Sequence, residues 1–99
     1  MNIIPSNYKR YAAFLKKYPS ARKSVYVWRE TVLKANWKSK KDVLNSFPNA
    51  KTLANNRARF KIEFNKYRIV AQIDYESQDL EIRFIGTHSE YDSIDPTTI

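Results

Sequence analysis

The chain has no cysteine, and only one glycine and one histidine. Without cysteine there is no disulfide scaffold, no thiolate zinc site and no thiol nucleophile. The glycine-rich phosphate loops of nucleotide-binding proteins need several glycines, so a single one excludes them. A lone histidine leaves any metal site to be built from carboxylates, and neither metal nor cofactor is expected. No apolar run approaches the ~20 residues of a membrane span. The N-terminal stretch, interrupted by Pro5, Lys9 and Arg10, lacks the apolar segment and small-residue cleavage site of a secretory signal. The sequence reads as a cytoplasmic protein without a membrane partner.

What is present describes a folded, cationic domain. Of the 99 residues, 42% are hydrophobic and 14% aromatic, which rules out a disordered tail. The length suits a single domain over residues 1–99. Lys and Arg number 18 against 10 acids, a net charge of +8. That balance favours a polyanionic partner, most commonly nucleic acid inside cells. The charge is uneven: residues 1–50 carry 11 Lys and Arg against two acids, whereas residues 51–99 carry seven against eight.

Periodicity divides the chain into helices followed by strands. Residues 1–4 are an edge strand or a lead-in. From about Ser6, Tyr8, Tyr11, Ala12, Leu15 and Tyr18 mark one helical face, which Pro19 ends. Ser20 is placed to cap a second helix whose stripe is Val25, Trp28, Val32 and Ala35, widened by Leu33. Ser39 and Asp42 have capping-box spacing ahead of Val43, Leu44 and Phe47, and Pro48 closes that short turn of helix. Residues 51–56 read as polar loop.

From Arg57 the period becomes two. Ala58, Phe60, Ile62 and Phe64 take one face; Arg57, Arg59, Lys61 and Glu63 take the other. After a weak turn at Asn65 and Lys66, Tyr67, Ile69, Ala71, Ile73 and Tyr75 alternate with Arg68, Val70, Gln72 and Asp74. After a turn at residues 76–79, Leu80, Ile82 and Phe84 alternate with Glu81, Arg83 and Ile85. The expected fold is α+β, with N-terminal helices packed on one face of a small antiparallel meander.

The other face then collects Arg57, Arg59, Lys61, Arg68 and Arg83. Neighbouring like charges destabilise a sheet, so this load calls for a ligand with repeating negative charge. An RNA backbone is one, and arginine is the residue suited to bidentate phosphate contact. The last strand leads into Gly86, expected to free the chain for a turn, and then into His88, Glu90, Tyr91 and Asp92. RNA is cleaved without metal when its 2′-hydroxyl loses a proton and attacks the adjacent phosphate. A cation steadies the added charge, and an acid protonates the leaving 5′-oxygen. His88, Tyr91 and Arg83 are the residue types for that chemistry. The plainer reading has Thr87 and Asp92 capping a short helix, His88 half-buried and Tyr91 packed on the core.

The residues from Arg57 to Asp92 resemble the HigB family of toxins, within the wider RelE-like superfamily. The run from Ile82 through Gly86, Thr87, His88, Glu90 and Tyr91 to Asp92 carries most of the resemblance. Phe60 to Ile62, Asn65 to Val70, Ile73 to Tyr75, Tyr18 to Ala21, Trp28, Ala35 to Trp37, and Asn45 to Pro48 add to it. The resemblance implies a RelE-like α+β toxin of a toxin–antitoxin system, a metal-independent endoribonuclease that cleaves mRNA on the translating ribosome. It implies a HigA-like helix-turn-helix antitoxin, and operator DNA bound through the toxin–antitoxin complex. Its functional positions fall on Arg57, Arg59, Arg68, Arg83, His88 and Tyr91. Three departures stand out: Lys61 where the family often has Asn, Glu63 and Phe64 where it has a Gly pair, and Ser93 where it has Lys. These motivate the alternative of a weakly catalytic RNA- or ribosome-binding module that regulates its operon with an antitoxin. A third reading is an interaction protein whose basic surface receives an acidic antitoxin segment. Residues 93–99, polar and slightly acidic, are expected to fray.

Overall fold

The computed structural model describes residues 1–4 and 8–99. One five-stranded sheet runs in the order β1-β5-β4-β3-β2. Its strands are β1 (Asn2–Ile4), β2 (Lys51–Leu53), β3 (Arg57–Ile62), β4 (Tyr67–Asp74) and β5 (Asp79–Thr87). Helices α1 (Tyr8–Lys17), α2 (Arg22–Lys34) and α3 (Lys40–Ser46) lie between β1 and β2, and α4 (His88–Asp92) follows β5. The α+β class is as expected. The sheet is larger than a meander and mixed, because β1 joins β5 in parallel. Residues 51–53, expected as loop, pair antiparallel with β3 as an edge strand. Three residues on an edge are too few to show alternation, and an edge tolerates polar side chains.

Helix α1 is rotated from its expected stripe. Phe14 is its buried residue, flanked by the partly buried Tyr11, Leu15 and Tyr18, whereas Tyr8 and Ala12 are exposed. The expected start at Ser6 lies outside the described residues. Phe14 packs on Tyr18 and Tyr67, each with ring centroids 5.1 Å away. Pro19 does end α1, but Ser20 is not the cap of α2: Pro19–Ala21 forms a 3₁₀ turn that runs straight into it, with Ala21 at the N-cap. Val25, Trp28 and Val32 are buried as their spacing requires, and Leu33 stays outside. Trp28 meets Phe60 edge-on at 5.5 Å; Phe60 in turn stacks on Trp37 and touches Phe47. This aromatic cluster joins the helical layer to β3. At α3, Ser39 occupies the N-cap without a side-chain bond. Asp42 accepts instead from the Lys38 backbone N–H at 2.8 Å. No helix among the described residues is long and apolar enough to cross a membrane.

Two irregularities place the functional face. The first is the β3–β4 hairpin. Ile62 pairs with Tyr67, and Glu63 and Phe64 adopt φ of 51° and 66°. The turn thus forms two residues earlier than expected, and Phe64, assigned to the apolar face, is 97% exposed. A side chain in the left-handed region costs roughly 1–2 kcal/mol per residue; glycine avoids that cost but loses more entropy on folding. The double change Glu63→Gly and Phe64→Gly is therefore expected to raise stability by about 1 kcal/mol. Urea unfolding should show a higher midpoint at unchanged slope.

The second irregularity is a bulge in β5. Val70 pairs with Phe84 and Ala71 with Ile82, leaving Arg83 as an extra residue. The side-chain parity reverses there. Leu80, Ile82 and then Ile85 belong to the helix-side core, and Phe84 and Val70 do not. The simple alternation of Phe84 with Ile85 is corrected accordingly, because a bulge leaves no mark in the hydrophobic pattern of one strand.

Candidate functional site

The far face of the sheet carries the arginines in two groups. Register sets Lys61 across from Arg68, Arg59 across from Val70 and Arg57 across from Gln72. Arg68 is the one buried charged residue among those described, only 6% exposed. A buried charge is costly unless it is hydrogen-bonded. Asn65 meets that need: its Oδ1 accepts from Arg68 Nε at 3.0 Å and from Nη2 at 2.7 Å. The guanidinium then lies 5.0 Å from the Tyr91 ring centroid, in cation–π contact. Burial, and next the charge of Arg59, hold the Arg68 pKa below its ordinary value.

Helix α4 supplies the rest of the first group. Thr87 is its N-cap, and the capping box is complete: the Glu90 N–H donates to Thr87 Oγ1 and the Thr87 N–H to Glu90 Oε1. The Thr87 N–H bond is the main reason the Glu90 carboxyl lies below the usual carboxylate range. The His88 N–H donates to the Lys66 carbonyl at 3.0 Å, tying α4 to the β3–β4 hairpin. One helical turn separates His88 from Asp92, and Nδ1 lies 3.1 Å from Oδ2. Tyr91 packs on Phe84 at 6.3 Å, and Arg10 covers Phe84 while its Nε donates to the Ile85 carbonyl. Helix α4 thus holds His88, Tyr91 and Asp92 together, with the buried Arg68 and Phe84 against the Tyr91 ring.

Gly86 makes that packing possible for a reason other than the expected one. It lies within β5, and no glycine among the described residues has a positive φ. A Cβ at Gly86 would come within 2.7 Å of the Phe84 ring and 3.1 Å of Glu90 Oε1. The position needs space for α4, and conformational freedom is not the issue.

The second group lies around the bulge. Arg83 Nε and Arg57 Nη2 both donate to the Ile99 main-chain oxygen, at 3.0 and 2.7 Å. Arg83 is also ion-paired with Glu81. Residues 93–99, expected to fray, are thus fastened to this face, and Asn55 Nδ2 donates to the Thr97 carbonyl at 2.8 Å. Arg59 reaches the Asn49 carbonyl at 3.2 Å, and Lys61 is exposed. The Nε–H groups of Arg57 and Arg59 are buried donors without an acceptor among the described residues.

Among the expected residues, Arg68, His88 and Tyr91 come together, Arg57 joins Arg83, and Arg59 lies beside Arg68. Sequence reasoning passed over Arg10, Asn65 and the pairing role of Asp92. The four-residue spacing of His88 and Asp92 on a helix was a usable signal. Arg10, 75 residues from its acceptor, gave none.

Residues 21–94 match the family model described as HigB_toxin, RelE-like toxic component of a toxin–antitoxin system. The chain is 35% identical over 80 residues to the mRNA interferase toxin HigB of Escherichia coli (strain K12), covering 78% of this chain and 76% of that protein. The proteins named mRNA interferase HigB from Escherichia coli O157:H7 and Shigella flexneri are similar to the same extent.

Proposed function

The chain belongs to the HigB family of RelE-like toxins, and from that premise we propose that it is an endoribonuclease that cleaves mRNA on the translating ribosome. The observation that carries the reading is the cluster of His88, Asp92, Tyr91 and Arg68 beside a strip of arginines. Phosphate recognition falls to Arg57, Arg59, Lys61 and Arg68. Their placement on one face, set by the register of β3 against β4, supports it.

The chemistry is a transphosphorylation. With the Nδ1 proton shared with Asp92, the other imidazole nitrogen is the acceptor. It takes the 2′-hydroxyl proton as the O2′–P bond forms. Tyr91 gives its hydroxyl proton to the 5′-oxygen as the P–O5′ bond breaks, leaving a 2′,3′-cyclic phosphate and a 5′-hydroxyl. Arg68 opposes the charge gathered on the phosphoryl oxygens, and Arg83, which lies with Arg57 around the bulge, meets a neighbouring phosphate of the same strand. Arg68 also positions the Tyr91 ring. The partners are mRNA, the ribosome and a HigA-like helix-turn-helix antitoxin, whose complex with the toxin binds operator DNA.

Primer extension on an mRNA in a reconstituted translation reaction tests the reading, beside the same mRNA without ribosomes. Cuts confined to the ribosome-containing reaction are expected. Cuts in both make the protein a ribosome-independent ribonuclease, and cuts in neither favour the weakly catalytic RNA-binding module.

A further inference from the structure

Residues 93–99 lie across the arginine face in an ordered path. The Ser93 hydroxyl donates to the Glu90 carbonyl, closing α4. Asp95 accepts from the Thr97 N–H and hydroxyl, and the Thr98 and Ile99 N–H groups donate to the Asp95 carbonyl. These bonds bend the segment back toward the sheet. Asn55, held at φ 61° between β2 and β3, then grips the Thr97 carbonyl. The segment delivers one main-chain oxygen, that of Ile99, to two guanidinium groups at once.

Two arginines converging on one oxygen is the donor arrangement that a phosphoryl oxygen calls for. Arg57 keeps a further buried donor, Nε–H, that has no acceptor among the described residues while the tail is in place. The tail therefore fills the position of an anion without using all the donors gathered there. We propose that the Arg57–Arg83 pair is a phosphodiester subsite whose occupant in the free protein is the chain's own tail, so that RNA enters by displacing residues 94–99. This rests on the ribonuclease reading and adds a built-in competitor to it. Among the described residues, three side-chain bonds, from Asn55, Arg57 and Arg83, hold the tail to the sheet face, a number small enough for a segment that must leave. Glu81 is paired with Arg83 in the free protein.

Two variants release the tail without touching either arginine. One ends the chain after Ser93. The other, Asn55→Gly, keeps the left-handed backbone and removes the grip on Thr97. Binding is read by fluorescence anisotropy with a short oligonucleotide blocked at every 2′-oxygen by methylation, at fixed salt, after circular dichroism has confirmed the fold. A competitor that occupies most of the free protein weakens apparent affinity by the fraction left open. Both variants are expected to bind about three- to tenfold more tightly than the full chain. In an Arg57→Ala background the gain should vanish. Equal or weaker binding in Asn55→Gly overturns the proposal, whatever the shortened chain does. If the full chain cuts RNA in a His88-dependent manner and tail release changes nothing, the ribonuclease reading stands and the competitor falls. If neither the full chain nor the variants bind or cut RNA, both fall.

Discussion

His88→Gln is expected to slow RNA cleavage by about 10²- to 10⁴-fold, the usual worth of a positioned general base. Glutamine approximates the size of the ring and can still meet Asp92, but it does not take up a proton near neutrality. The His88–Asp92 contact is exposed, and exposed pairs of this kind contribute only about 0.3–0.5 kcal/mol to stability. The thermal midpoint should barely move. Tyr91→Phe should cause a comparable loss on ordinary RNA while keeping the ring over Arg68 and against Phe84. The two roles separate on a substrate whose leaving 5′-oxygen is replaced by sulfur. A thiolate leaves without protonation, so Tyr91→Phe should recover most of its rate there and His88→Gln should remain slow. Recovery by His88→Gln instead would exchange the acid and base. Recovery by neither would remove Tyr91 from proton transfer and leave it as packing.

Gly86→Ala should damage both stability and activity, because one methyl group meets two parts of the site. Its Cβ would come 2.7 Å from the Phe84 ring and 3.1 Å from the Glu90 carboxylate that closes the capping box. Over-packing of this kind costs roughly 1–3 kcal/mol. The Phe84 ring carries Arg10 on it and Tyr91 beside it, so its displacement shifts α4 relative to Arg68. A misplacement near 1 Å can cost about 10²-fold in rate, and a loss of that order is expected. Phe84→Leu, which removes the ring atoms nearest the new methyl, should partly restore stability in the double variant. The two changes should then be clearly non-additive. Additive losses would mean that the alanine strains something other than the Phe84 ring.

The legible part of the fold was set by long, regular signals. Val25, Trp28 and Val32 on α2, and Ala58, Phe60 and Ile62 on β3, are buried where their spacing put them. The far-face position of Arg57, Arg59, Lys61 and Arg68 followed from the same period-two rule. Illegible features depended on contacts distant in sequence or on single-residue insertions. The parallel pairing of β1 with β5 joins residues 77 apart. The bulge at Arg83 reverses Phe84 and Ile85 without altering composition. In α1, both Tyr8 with Ala12 and Phe14 with Tyr18 satisfy helical spacing, and packing against Tyr67 decides between them.

The candidate site divides in the same way. The residue types for RNA cleavage were visible in His88, Tyr91 and Arg83. Their grouping was not: Arg68 is the cation under Tyr91, while Arg83 turns toward Arg57 and Glu81. The Asn65 bond that makes a buried Arg68 tolerable depends on where the hairpin turns, and the turn was misplaced in sequence. The left-handed Glu63 and Phe64 stand where the family resemblance pointed to a Gly pair. That backbone persists with side chains that strain it.

The chemistry of the cut ends tests the central claim most directly. An RNA oligonucleotide cleaved by the protein, on the ribosome if cleavage requires it, is analysed by mass spectrometry. Attack by the neighbouring 2′-hydroxyl predicts an upstream fragment ending in a 2′,3′-cyclic phosphate, or the 3′-phosphate formed by its opening, and a downstream fragment beginning with a 5′-hydroxyl. The same RNA with a single 2′-deoxynucleotide at the scissile position should remain whole. Fragments bearing a 3′-hydroxyl and a 5′-phosphate, or cleavage of the deoxy-substituted RNA, would contradict the mechanism assigned to His88 and Tyr91.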